Sequence, residues 1–278
     1  MKFDLVIQGR SLADGQIAAL AALCGSRKWR RLGPGAARLA GADCGAAVAD
    51  ICAQMRLDHA FVPATTKLSD FGLVAMDMDS TLIAIECIDE LAAIGGIGSQ
   101  VAEITAHAMR GEIEFAESLA RRVALLAGLS TTALDRVYDD KLRLSEGAES
   151  MIEGIKARGI RTLLVSGGFA FFTERLCTRL GLDFACANQP EVAEGLLTGR
   201  LTGRVIDADG KAEKVREIRT ALGLDKDRVI VIGDGANDIP MMAEAGVSIA
   251  YRAKPLVQRN ATYRFNHVGL DGLLKLFG

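Results

Sequence analysis

From Phe71 onward, short apolar runs alternate with stretches of helical periodicity. The runs 73–76, 160–165, 229–232 and 247–250 have strand length and are almost wholly apolar, as strands buried on both faces of a parallel sheet are. Segments with helical patterning lie between them, at about 148–158, 171–180, 211–222 and 239–245. This order predicts an α/β fold with a doubly wound parallel sheet. Each of the first three strands runs into a polar cluster: Asp77-Met78-Asp79, Ser166-Gly167-Gly168, and Gly233 to Asp238. Open α/β sheets bind ligands at the carboxyl ends of their strands, so the three clusters are expected to converge.

The stretch between the first two strands is longer than one crossover helix requires. It reads as helices at 88–94, 100–109, 114–126 and, after a Ser130 cap, 132–138. Phe115, Leu119, Arg122 and Leu126 share one face by their spacing. We expect an inserted helical cap at about 86–147, a lid above the strand ends. The glycine-punctuated LLTGRLTGRV within 195–209 reads as a β-hairpin. Residues 1–68 follow another pattern: a strand at 3–7, a helix at 12–23 capped by Ser11, one or two strands in 29–39, a helix at 46–55 and a strand at 59–62. They are expected to form a small α+β, regulatory-like domain ahead of the α/β domain at 69–278.

Composition narrows the function more than the fold. The chain has 278 residues, 50% hydrophobic and 24% charged, which suits one or two globular domains. Lys plus Arg total 33 against 35 Asp plus Glu, a formal charge of -2, so no nucleic acid or anionic membrane partner is expected. The start, MKFDLVIQGRS, carries Asp4 and lacks the apolar core of a signal peptide. Six cysteines without a C-x-x-C pair argue against structural zinc and a disulfide framework, and a reducing cytoplasm is expected. Cys24 to Arg30 fits the C-x5-R pattern of cysteine phosphatases, but it lies at a helix end, and Lys28 and Trp29 stand where a phosphate cradle needs small residues.

The clusters suggest phosphoryl transfer. Asp77, Asp79 and Asp234 offer the hard oxygen ligands that Mg²⁺ prefers. Each carboxylate is costly to bury unless it is paired or bound to a cation. Ser166 and the N–H groups of Gly167 and Gly168 can donate to a phosphate, and Lys211 at a helix start can add positive charge. A carboxylate can then serve as nucleophile. His59, His107 and His267 lie outside every cluster, which argues against a histidine phosphatase.

These residues carry a resemblance. DMDST at 77–81 matches the D-x-D-x-T motif of the haloacid dehalogenase superfamily, and LLVSGG at 163–168, Lys211 and GDGAND at 233–238 resemble its remaining motifs in order. DMDSTLIAIECIDELA, AMRGEIEFAESLARRVALL and VSGGF resemble the phosphoserine phosphatases of that superfamily over roughly 70–250. Residues 1–68 resemble the amino-terminal ACT-like region of longer members. The resemblance implies Mg²⁺-dependent hydrolysis of O-phospho-L-serine, the last step of serine biosynthesis. It makes Asp77 the nucleophile and a metal ligand. Asp79 becomes the general acid and base, with its carbonyl on the metal; Asp234 is a ligand and Asp238 a support behind it. It assigns the phosphate to Ser166, Gly167 and Lys211, with Asn237 nearby, the substrate ammonium to Glu86, the carboxylate to Arg122, and pocket closure to Phe115.

Simpler roles stand beside these. Lys214 competes with Lys211, Arg121 sits next to Arg122, and Phe115 can be cap core. Glu146-Gly147 replaces a frequent Pro-Gly of the family, an expected change of loop only. Two other functions compete: a phosphatase or phosphotransferase for another small amine-bearing phosphoester, and an amino-acid sensor acting through residues 1–68. A homodimer is the assembly to test.

Overall fold

The computed structural model describes residues 2–109 and 112–278. Arg110 and Gly111, part of the AMRGEIEF match, lie outside the described residues.

The first residues build β1 (Phe3–Gln8), α1 (Asp14–Leu23), β2 (Lys28–Gly33), β3 (Ala36–Ala40), α2 (Ala46–Gln54) and β4 (Asp58–Pro63). Their sheet has the order β2-β3-β1-β4. Alternation along β1 turns Leu5 and Ile7 into a cluster with Ile17, Leu20 and Leu39. Val6, on the other face, joins Ala60, Val62, Tyr263, Phe265 and Phe277 in the largest core of the molecule. Ser11 does not cap α1. The helix starts at Asp14 with Ala13 as its N-cap, and the Ala13 N–H donates to Gln16 Oε1 at 2.9 Å.

The α/β part starts with β5 (Leu73–Met76) and sends four helices above it: α3 (Cys87–Ile94), α4 (Gly98–Met109), α5 (Phe115–Leu125) and α6 (Thr132–Arg136). It continues through α7 (Ala148–Lys156), β6 (Arg161–Phe169), α8 (Ala170–Leu180), β7 (Phe184–Ala193), β8 (Leu196–Thr202), α9 (Ala208–Ala221) and β9 (Val229–Gly233). The last elements are α10 (Ile239–Met242), β10 (Val247–Tyr251), α11 (Pro255–Asn260), β11 (Tyr263–Phe265) and α12 (Gly272–Leu276). The sheet order is β11-β10-β9-β5-β6-β7-β8, parallel except for the β7–β8 hairpin. In β5, Leu73 and Ala75 face one core and Val74 and Met76 the other, all 0% exposed. Burial on both faces is why this run is apolar without alternation.

Two elements differ from the sequence pattern. Strand β6 does not end before Ser166-Gly167-Gly168 but runs through it to Phe169, with a register shift against β7 between Val165 and Phe169. The hairpin begins earlier than 195–209, because β7 starts at Phe184 and the chain reverses at Glu194-Gly195, both at positive φ. Among the described residues no helix is long and apolar enough to cross a membrane.

Candidate active site

Strand β5 delivers Asp77 to the centre of the carboxyl edge, where its N–H donates to the Ile232 carbonyl of β9 at 3.0 Å. The chain then folds into a tight turn over Met78–Leu82, and Ser80 sits at φ 55°, a left-handed conformation that a non-glycine residue rarely takes. The turn aims three side chains. Ser80 Oγ donates to Glu86 Oε1 at 2.7 Å, Thr81 Oγ1 donates to Asp234 Oδ1 at 3.0 Å, and Asp79 Oδ1 accepts the Cys87 N–H at 2.9 Å. From β6, Ser166 Oγ accepts the Gly168 N–H at 2.8 Å and donates to Asp79 Oδ2 at 3.3 Å.

Helix α9 supplies the cation. Asp207 caps it by accepting the Gly210 N–H at 2.9 Å, which places Lys211 in the first turn, pointing inward. Lys211 is 0% exposed, and its Nζ donates to Asp77 Oδ1 at 2.6 Å and to Asp238 Oδ1 at 2.8 Å. Lys214 instead points outward and pairs with Glu217. The second Asp238 oxygen accepts the N–H groups of Asp234 and Gly235, each at 3.0 Å. Gly233 is needed for this closeness: a Cβ there would lie 2.5 Å from Asp238 Oδ2. Asn237 is half-buried in the same turn and makes no side-chain hydrogen bond among the described residues.

Carboxylate oxygens of Asp77, Asp234 and Asp238 lie within 4.8 Å of one another. Both Asp238 oxygens are already engaged, so it is a poor ligand and a good brace. Asp77 Oδ2 and Asp234 Oδ2 accept no hydrogen bond among the described residues and are the oxygens open to a cation. The Asp79 side chain is outside this group, held by Cys87 and Ser166, so its contribution to a metal would fall to its main-chain carbonyl. Charge points the same way. Burial works against the Lys211 ammonium, but Asp238 and Asp77 outweigh it and keep it charged. Burial, then the nearby Asp238, pushes Asp77 well above the usual carboxylate range despite Lys211, and the same two causes bring Asp234 to about 6. One ammonium cannot hold all these acids ionised, and the donor set is the hard-oxygen kind that suits a divalent ion such as Mg²⁺.

The cap closes over this edge. Phe115, at the start of α5, lies on β6: a Cβ on Gly167 would be 3.0 Å from Phe115 Cζ. Glu86 precedes α3 and faces the cleft. It reaches solvent, yet enclosure by the surrounding protein, then the charge of Asp79, raises it to about 7. Arg122 is half-buried on α5, its Nε donating to the Ser118 carbonyl at 3.4 Å, and its charge attracts Asp89 on α3. Neighbouring Arg121 is exposed and pairs with Glu117.

One residue of this architecture has no motif to betray it. Asn188 on β7 is 2% exposed; its Nδ2 donates to the carbonyls of Gly167 at 2.9 Å and Ile206 at 3.1 Å, and its Oδ1 accepts the Ile206 N–H at 2.7 Å. It ties the Ser166-Gly167 segment to the loop that leads into α9 and Lys211. A lone asparagine in a strand of mixed polarity carries no signal in the sequence.

The chain as a whole is similar to known proteins in sequence and fold. The model of the haloacid dehalogenase-like hydrolases matches residues 71–246. A phosphoserine phosphatase from a Polaromonas species is 50% identical over 215 residues, 76% of this chain and 91% of that protein. The crystal structure of a probable phosphoserine phosphatase from Vibrio cholerae superposes with a TM-score of 0.85 at 32% identity, over 99% of this chain and 86% of that one. A substrate-bound phosphoserine phosphatase gives 0.71 at 36% identity, over 75% of this chain and 99% of that one. The chain belongs to the haloacid dehalogenase-like hydrolases, in their phosphoserine phosphatase family.

Proposed function

We propose that this chain hydrolyses O-phospho-L-serine to L-serine and phosphate through an aspartyl-phosphate on Asp77, with Mg²⁺ held by Asp77, Asp234 and the Asp79 carbonyl. The observation that carries the reading is the buried Asp77–Lys211–Asp238 bridge beneath a cap bearing Glu86 and Arg122. When bound, the divalent ion supplies the positive charge that neutralises the phosphate and favours the ionised Asp77.

Asp77 bonds to phosphorus as the bond from phosphorus to the serine oxygen breaks. A serine alkoxide is a poor leaving group, and Asp79 gives it a proton. Burial raises the Asp79 carboxyl above its ordinary range, as a proton donor requires. Asp79 then takes a proton from the water that attacks phosphorus, the bond to Asp77 breaks, and phosphate leaves. Ser166, the Gly167 N–H and Lys211 hold the phosphate oxygens, Asn237 lies at the same edge, and Asp238 braces Lys211. Glu86 answers the substrate ammonium, Arg122 its carboxylate as a fork, and Phe115 shuts the pocket. The pair Glu86 and Arg122 selects an amino acid rather than a sugar.

The wider reading is a cytoplasmic enzyme of serine biosynthesis, supported by six free cysteines. Residues 1–68 would be a regulatory unit, 69–278 the phosphatase with its cap at about 86–147, and the assembly a homodimer, which light scattering on the purified chain checks. Phosphate release over a panel of phosphorylated amino acids and sugars tests the substrate: turnover of O-phospho-L-serine with Mg²⁺ should lead the panel. Asp77→Asn should lower kcat by on the order of 10⁴-fold or more. A variant retaining substantial activity would exclude Asp77 as nucleophile.

A further inference from the structure

We propose that the β7–β8 hairpin is a strut that holds helix α5 from behind, so that Gly199 on β8 positions Arg122 over the phosphate site. This rests on the reading of Arg122 as the group that binds the substrate carboxylate.

The four helices above β5 are joined to the rest of the α/β part through two linkers, which pair with one another. Ile83 and Leu144 form an antiparallel bridge, the Ala84 N–H donates to the Arg143 carbonyl, and the Ser145 N–H donates to the Leu82 carbonyl, both at 2.9 Å. The hairpin adds a tie at the carboxyl end of α5 that connectivity does not require. There the Gly128 N–H donates to the Leu197 carbonyl and the Leu197 N–H to the Leu129 carbonyl, both at 2.8 Å. The Thr131 N–H donates to the Gly195 carbonyl at 2.9 Å, and Ser130 and Leu196 form the corresponding bridge. Strand β8 is the last of its sheet, so its outer edge has spare backbone groups, and the cap takes them up. Leu197, 3% exposed, belongs to one apolar core with Leu119, Val123 and Leu126 of the cap. Hydrogen bonds fix the direction of this approach, and close packing fixes its distance.

Gly199 sets how near the strut and the helix come. It takes φ 81°, and a Cβ there would lie 2.9 Å from the Ala124 carbonyl oxygen, 2.9 Å from Ala127 Cβ and 3.2 Å from Ala124 Cα. These neighbours are backbone and a methyl group, so no side chain can rotate aside to make room. Two residues are about 200° of turn along an α-helix, so Ala124 lies on the opposite side of α5 from Arg122. Phe115 shares the Arg122 face and lies against Gly167, so that face is turned to the site. The hairpin therefore bears on the back of α5. At its root the same hairpin reaches the phosphate end of the site, where Asn188 on β7 donates to the Gly167 carbonyl at 2.9 Å. One element thus fixes the span between the groups for phosphate and for carboxylate. An arginine fork is sensitive to that span, because a misplacement of about 1 Å can cost on the order of 100-fold.

Gly199→Ala is compared with Gly203→Ala, which carries the same left-handed backbone cost at φ 75° but has nothing within 4 Å of its added Cβ. KM and kcat for O-phospho-L-serine with Mg²⁺ are measured on the full chain. Gly199→Ala should raise KM by about tenfold and change kcat less than about threefold, while Gly203→Ala should leave both within about twofold. In an Arg122→Ala chain the added Gly199→Ala should raise KM by less than about threefold, because the group being positioned is gone. Leu197→Ala, which withdraws the strut instead of pressing it, should also raise KM more than it lowers kcat. It decides the matter if circular dichroism shows that Gly199→Ala does not fold, and an unchanged KM there would overturn the strut. So would equal effects of the two glycine variants, or a Gly199→Ala effect undiminished in the Arg122→Ala chain. Arg122→Ala with an unchanged KM would instead reject the carboxylate reading beneath the proposal.

Discussion

Among the described residues, Lys211 is the single cation hydrogen-bonded to the buried acids at the strand ends, and its two contacts differ in purpose. Asp238, saturated by Lys211 and two backbone N–H groups, is fixed. Asp77, held at one oxygen only, keeps the other for chemistry. Glu86 occupies the opposite position, with one hydrogen bond from Ser80 and a cleft in front of it. Because its carboxyl is raised to about 7, it loses its charge as pH falls through that value and gains it above. If it meets the substrate ammonium, kcat/KM falls on the acid side of about pH 7, as a free-enzyme group dictates. Glu86→Gln should raise KM by about 10- to 100-fold, since a hydrogen bond to a charged group contributes about 1.5–3 kcal/mol, with a smaller change in kcat. It should also shift that acid limb to lower pH. The substrate's own phosphate titration is common to both proteins, so an identical limb in the variant would reject Glu86. At this scale the acids, Ser166 and Lys211 were legible because chemistry restricts the residue types at fixed positions. The choices of Lys211 over Lys214, and of Arg122 over Arg121, came from the family resemblance and not from periodicity. They depend on which way a helix is rotated, which packing decides: Lys214 finds Glu217 and Arg121 finds Glu117 on exposed faces.

Between elements, the site depends on how three strand ends are joined. Strand β6, with Ser166 and Gly167, packs on α9, with Lys211, and a third element has to tie the Gly167 carbonyl to the Ile206 loop by hydrogen bonds. Asn188 does so with three hydrogen bonds in a buried place. Asn188→Ala leaves a buried N–H and two carbonyls without partners, at about 1–3 kcal/mol for each group that water cannot reach. The expected outcome is a lower melting temperature and a kcat reduced by about tenfold or more, since small misplacements of phosphate-holding groups are costly. Asn188→Asp, which keeps the shape but not the donors, should fall between. A variant with normal kcat and a normal melt would show that β7 merely flanks the site. The alternating strands and helices were readable from periodicity, because burial on both faces enforces it. The path of β6 through Ser166-Gly167-Gly168 was not, because small polar residues read as a turn, while pairing with β7 resumes at Phe169 past a register shift.

For the molecule as a whole, the question is whether the four-stranded sheet is an attachment or part of the core. Its strands and helices were recognisable in outline from residues 1–68, but its docking was not, since Val6, Ala60 and Val62 look like any strand residues until Tyr263, Phe265 and Phe277 pack against them. Asp58 adds a polar latch. Only 5% exposed, it accepts the N–H groups of Asn266, His267 and Val268 at 2.8, 2.8 and 3.1 Å. The two parts therefore share apolar burial and a carboxylate that satisfies three backbone donors, and such parts unfold together. Urea unfolding followed by Trp29 fluorescence, which reports on β2, should coincide with loss of phosphatase activity, which reports on the strand ends. Asp58→Ala should lower stability by on the order of 3 kcal/mol, the cost of buried N–H groups left without an acceptor. Both signals should move by the same amount. If Trp29 instead changed at lower urea than activity in the unaltered chain, the sheet would be an independent unit.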